Sequence, residues 1–288
     1  MAELVHTQGE HHAGPKHDYN LVDPSPWPLM GAATAFVFMV GMVLWMHETP
    51  HGGLVVLLGI AGILATMFVW WRDVVKEANR GDYSNVVAHM LRIGMVLFIL
   101  SEVLFFFAFF WAFFWSASYP PELVAMQWPP PGVTPAEAFG VPFLNTLILL
   151  LSGTTVTWAH HAVREGDNRT ATKALLLTVL LGAIFTSIQA YEYVHLYREG
   201  LTLATGVFGS TFFMATGFHG FHVLVGTCFL LVCAIRAGRN QFTPERHVGF
   251  EAATWYWHFV DVVWLFLFVC VYVWGGSLAW STPGTGAY

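Results

Sequence analysis

Seven separated stretches of this sequence are long and apolar enough to cross a lipid bilayer, and no other feature constrains the fold as strongly. A hydrocarbon core about 30 Å thick needs roughly 20 apolar residues in helical form. The qualifying stretches are residues 28–47, 53–71, 93–117, 141–162, 173–194, 207–235 and 250–275. Each is expected to be a helix, because backbone in lipid has no water to bond and a helix pairs its N–H and C=O groups internally. The alternation of a membrane β-barrel is absent. Composition agrees: 56% of the 288 residues are hydrophobic and only 10% charged, against roughly 25% charged in soluble domains. The sequence predicts an all-α, polytopic membrane helix bundle.

The positive charges are divided by side. With seven crossings, Lys16, then Arg72, Lys76, Arg80 and Arg92, then Arg164, Arg169 and Lys173, then Arg236, Arg239 and Arg246 share one side. Arg198 stands alone on the other, an 11-to-1 division of the 12 lysines and arginines. Positive residues stay cytoplasmic, which puts the amino terminus inside and the carboxyl terminus outside. The net charge of −6 says little about partners, and with no basic block, no nucleic-acid partner is expected. Cys228, Cys233 and Cys270 lie in apolar runs without metal-ligand spacing and read as buried thiols. The first 26 residues are polar and show no cleavable signal. Their histidines, His6, His11, His12 and His17, read as part of a solvated tail.

The expected organisation is a polar tail over 1–26, a two-helix unit over 27–72, a polar cytoplasmic connector over 73–92, a five-helix unit over 93–276 and an outer tail over 277–288. Residues 118–142 form a proline-rich external loop without lysine or arginine, which proline should stiffen into an ordered cap. No internal repeat of the kind that marks many transporters is visible. Trp27, Trp70, Trp71, Trp128 and Trp274 fall where membrane interfaces concentrate aromatic rings.

Ionisable groups at bilayer depth cost at least about 2.5 kcal/mol each, so each is a candidate site. Glu102 lies ten residues past Arg92, about 15 Å along a helix. It reads either as a proton-active carboxyl or conformational pin, or as a packing acid bonded to another helix. His219 and His222 are spaced i, i+3 on the sixth span. On the seventh, Glu251 and His258 are seven apart, and His258 and Asp261 again i, i+3. These five compose either a histidine–carboxylate metal site or a polar network joining the two helices. Gly217 and Gly220 favour close helix approach and hence the network. Trp70, Trp71 and Arg72, with Arg92 and Arg236 at similar depth, suit anionic lipid headgroups. Read blandly, they are ordinary interfacial anchors. His160 and His161 mark another inner helix end.

Several of these runs resemble subunit III of the haem–copper cytochrome c oxidases. They are NLVDPSPWPL from Asn20, WWRDV from Trp70, GMVLFILSEVLFFFAFFWAFF from Gly94, WAHHAVREGD from Trp158, VFGSTFFMATGFHGFHVLVGT from Val207 and VGFEAATWYWHFVDVVWLFLFVCVYVWG from Val248. They are long, ordered and spread over about residues 20–276. The resemblance implies seven helices split two and five around a V-shaped, lipid-holding cleft. It implies docking on catalytic subunit I, with subunit II in the same complex and cytochrome c as that complex's substrate. Haem and copper are expected in those partners, with no catalytic residue, metal or redox cofactor in this chain, only bound phospholipid. The implied role is to stabilise the catalytic subunit and support proton uptake, and the resemblance also implies oxygen access along the cleft. Glu102 is the buried acid that the resemblance carries over, and Trp71, Arg72, Arg92 and Arg236 are the lipid contacts. The implied location is a bacterial cytoplasmic membrane, with the mitochondrial inner membrane as alternative.

Three other readings compete. An autonomous ion transporter would use Glu102, Glu192 and Asp261. A membrane metalloenzyme would use His219, His222, His258 and Glu251. The matching subunit of a quinol oxidase differs from the first reading only in the electron donor, which docks elsewhere.

Overall fold

A computed structural model describes residues 24–120 and 127–277. The polar tail with its histidines, part of the proline-rich loop and the outer tail lie outside the described residues, save 24–26 and Ser277. Among the described residues there are seven helices: α1 (Trp27–Met46), α2 (Gly52–Arg80), α3 (Asn85–Ser118), α4 (Val141–Arg164), α5 (Asn168–Arg198), α6 (Gly206–Gly238) and α7 (Val248–Leu267). A π-helical stretch, Phe268–Ser277, continues α7. All seven are long and apolar enough to span a membrane, and no strand occurs among the described residues. The protein is an all-α integral membrane bundle.

The helices overrun the apolar stretches that predict them. The connector expected over 73–92 is mostly helical, and only 81–84 separate α2 from α3. Lipid dictates where a helix must exist, whereas capping dictates where it stops. Gly81 ends α2 in the left-handed region (φ 81°), with its own N–H on the Ala78 carbonyl and the Asp82 N–H on the Glu77 carbonyl. The Ser84 hydroxyl starts α3 by accepting from the Val87 N–H at 3.2 Å. At α5, Asp167 accepts from the Thr170 N–H at 3.0 Å, the cap expected of a short acceptor side chain.

The chain divides into two compact units, one ending at Leu91 and the other beginning at Arg92. In the first, α1 and α2 meet along glycines. A Cβ on Gly41 would lie 2.6 Å from the Val56 nitrogen, one on Gly52 2.6 Å from the Trp45 nitrogen, and one on Gly59 2.5 Å from the Phe38 Cα. Small residues let backbones approach where lipid supplies no hydrophobic drive between helices. The indole of Trp27 adds a bond to Asp73 Oδ2 at 2.9 Å.

The second unit packs α4, α5, α6 and α7 around fully buried Trp257 and Trp264. Trp257 sits against Gly182 of α5 and Gly226 of α6 and donates to Ser152 Oγ of α4 at 2.9 Å. Trp264 donates to Thr146 Oγ1 at 2.9 Å. Both of these indoles find acceptors, and an unbonded N–H at this depth would be costly. Part of α3 joins the unit through long side chains, with Phe106 and Phe113 fully buried.

Candidate functional site

Two ionisable pairs fasten α3 to its neighbours. Glu102 Oε2 lies 2.9 Å from His222 Nε2 on α6, with the side chains 21% and 8% exposed. The other ring nitrogen, His222 Nδ1, lies 2.6 Å from the Phe218 carbonyl. A carbonyl only accepts, so Nδ1 carries a proton and the tautomer is set by that bond. One further proton then lies between Nε2 and Oε2, either on a carboxylic acid donating to imidazole or on imidazolium donating to carboxylate. Phe105, Phe106 and Phe259 pack around the ring. The pair links α3 to α6 inside an apolar shell.

The second pair lies ten residues nearer the start of α3. Arg92 Nε donates to Glu251 Oε2 at 2.7 Å, and His247 Nε2 lies 3.7 Å from the other carboxylate oxygen. Arg92 thus commits one nitrogen to a carboxylate, and its side chain remains 34% exposed. Arg236 is half-buried, donating to Gln241 Oε1 at 3.2 Å with its guanidinium 4.6 Å above the Phe242 ring. In the first unit, Trp70 and Trp71 are exposed on α2 and Arg72 pairs with Asp73 at 3.3 Å.

The five residues expected to form one α6–α7 network fall into separate interactions. His219 Nε2 bonds the Val260 carbonyl at 3.1 Å, which does link α6 to α7. His222 instead turns to α3. Residues at i, i+3 are about 60° apart around a helix, enough for two histidines to address different neighbours. His258 lies 3.4 Å from Asp261 and 3.2 Å from the Thr157 hydroxyl on α4. Glu251 shares a stripe with His258 but sits about 10 Å away along the axis. The quartet His219, His222, His258 and Glu251 therefore has no common centre. Nor do the expected glycines make the close contact: a Cβ on Gly220 would meet nothing within 4 Å, and one on Gly217 only the Tyr193 hydroxyl at 3.9 Å. Gly182 and Gly226 fill that role.

The three acids of the transporter reading also lie apart. Glu102 faces α6 and Asp261 lies beside His258, whereas Glu192 is buried near the Tyr272 hydroxyl, 3.5 Å away. Sequence reasoning missed the polar ladder around Glu192. Asn145 bonds Gln189 at 3.3 Å, and Gln189 bonds Tyr272 at 3.4 Å. The i, i+3 spacing of Gln189 and Glu192 inside one span was the available signal. His247 was missed as well, because it sits in a polar loop where a histidine draws no attention.

Comparison with known proteins bears on most of the chain. The family described as cytochrome c oxidase subunit III matches residues 17–276. Cytochrome c oxidase subunit 3 of Marchantia polymorpha is 54% identical over 263 residues, which is 91% of this chain and 98% of that protein. The Arabidopsis thaliana protein of the same name is 54% identical over 262 residues, 91% of this chain and 98% of its own length. That of Branchiostoma lanceolatum is 54% identical over 260 residues, 90% and 97% respectively. The chain belongs to the cytochrome c oxidase subunit III family, membrane subunits of the oxidase of respiratory electron transport.

Proposed function

We propose that the chain is a non-catalytic subunit that docks on oxidase subunit I, with subunit II in the same complex, and that it stabilises the catalytic subunit and supports its proton uptake. Haem and copper lie in those partners, and cytochrome c is the substrate of the complex. The observation that carries this reading is the Glu102–His222 pair, a proton-holding contact 2.9 Å long inside an aromatic shell. Phospholipid headgroups bind beside Trp70, Trp71 and Arg72 on the first unit and at Arg92 and Arg236 on the second. Support comes from the exposure of both tryptophans and from guanidinium chemistry, which suits phosphate. The 11-to-1 division of lysine and arginine supports an inside amino terminus. The membrane is a bacterial cytoplasmic membrane or its mitochondrial counterpart.

Glu102→Gln tests this reading, because glutamine keeps a hydrogen bond to His222 and removes the exchangeable proton. The purified oxidase carrying it should assemble with normal haem spectra, take up protons more slowly and lose activity after fewer turnovers. Wild-type proton uptake and lifetime would remove the proton role. If Glu102→Leu alone then releases the subunit, the pair is a pin and nothing more.

A further inference from the structure

The inner ends of α4 and α7 bring together a histidine–carboxylate cluster that the proposed function does not use. One ring nitrogen each from His160 and His247 and one carboxylate oxygen of Glu251 lie within 4.8 Å of one another. We propose that these three residues form an exchangeable site for a divalent transition metal of the zinc class.

Each ligand is prepared by its surroundings. His247 Nδ1 lies 3.0 Å from the Thr243 carbonyl, which fixes the proton on that nitrogen. Nε2 faces Glu251 Oε1 at 3.7 Å and is the nitrogen a neutral ring would offer to a metal. A backbone carbonyl on the distal nitrogen is the usual support of a metal-binding histidine. Glu251 is oriented by Arg92, which takes Oε2 at 2.7 Å and leaves Oε1 toward the histidines. An independent observation is His160 Nε2, a buried nitrogen with no hydrogen-bond partner. A buried polar atom without a partner is uncommon and needs an occupant or an explanation.

The donor set decides the ion. Two imidazoles and one carboxylate favour zinc over magnesium or calcium, which prefer oxygen shells. Bonds of about 2.0–2.2 Å in a tetrahedron place ligands roughly 3.4 Å apart, so the cluster, whose atoms lie within 4.8 Å, closes by at most about 1.4 Å through side-chain rotation. Three protein ligands leave a fourth position for water, the open type of zinc site. Arg92 offsets the Glu251 charge, which weakens the site and makes the ion exchangeable. Arg164 and Arg246, close in sequence to the ligands, belong to the positive side of the chain, so the ion arrives from the inner aqueous phase. Bound zinc would tie α4 to α7 and compete with Arg92 for Glu251.

The test uses the whole purified oxidase, stripped with chelator and titrated with Zn²⁺ alone. Bound zinc is counted by elemental analysis in wild type and in His160→Gln and His247→Gln. Each variant should bind one zinc fewer per complex; unchanged stoichiometry in both would overturn the site. A second arm needs no variant. In wild type, zinc should shield His160 and His247 from diethyl pyrocarbonate, mapped by mass spectrometry. Equal modification with and without saturating zinc would overturn the proposal on its own.

Discussion

The two units solve the same problem in opposite ways. Helices in lipid gain little from hiding apolar surface, so contact must come from packing and hydrogen bonds. The α1–α2 pair gains its contact by removing side chains: Gly41, Gly52 and Gly59 bring backbone against backbone. Its large apolar side chains, such as Leu29, Phe36 and Phe68, point outward. The second unit gains contact by filling space. Trp257 and Trp264 occupy its centre, and each indole finds a hydroxyl on α4. A seam of absences should therefore fail when side chains are enlarged, and a filled core when they are trimmed.

The largest expected effect is on the glycine seam. Gly59→Leu places a Cβ within 2.5 Å of the Phe38 backbone, where no side-chain rotation relieves it. Overpacking usually costs about 1–3 kcal/mol, and a clash with backbone belongs at or above the top of that range. The variant should lower the temperature at which the chain dissociates from the purified complex. Gly53→Leu is the control, because a Cβ there meets nothing within 4 Å, and it should behave as wild type. Equal effects at the two positions would break the distinction between seam and surface.

Trimming the filled core should cost somewhat less. Trp257→Phe removes the 2.9 Å bond to Ser152 and leaves a void between α5 and α6. The bond is worth about 0.6–1.7 kcal/mol in a bilayer, and the void adds about 24 cal/mol per Å³. Together they predict a loss of about 2–3 kcal/mol in thermal denaturation of the complex. Gly226→Ala alone should destabilise, since its Cβ would sit 2.9 Å from Trp257 Cε3. Combined with Trp257→Phe it should recover part of the loss. Simple additivity of the two would mean that the void is not where the indole stood.

Hydropathy made the seven helices legible because lipid enforces helix wherever the chain is apolar. It could not give their ends, since capping by Gly81, Ser84 and Asp167 occurs beyond the lipid. Glu102 was legible as an isolated acid in an apolar run, but its partner was not. Choosing His222 over His219 depends on a rotation of about 60°, and only the packed positions of α3 and α7 decide it. Gly217 and Gly220 misled for the same reason: spacing marks a face without saying what lies opposite. His247 was invisible because its neighbours in space, His160 and Glu251, come from two helices, one of them distant in sequence.

The smallest expected effect separates the units by pH. The glycine seam of α1 and α2 contains no group that titrates at Gly41, Gly52 or Gly59, so acid should leave that seam unchanged. At the aqueous edge of the second unit, hydrogen bonds from Thr170, through its side chain and then its backbone N–H, hold the Asp167 carboxyl below its ordinary value of 3.8. A carboxylate depressed in the folded state stabilises above the unfolded value and loses that contribution as pH falls through the folded one. Protection of the Thr170 amide from hydrogen exchange should thus hold steady above pH 3.8 and decline only below it. Asp167→Asn keeps a cap without a titratable charge, so its protection should show no such decline. A parallel decline in both proteins would locate the acid sensitivity outside this cap and remove the contrast between the two units.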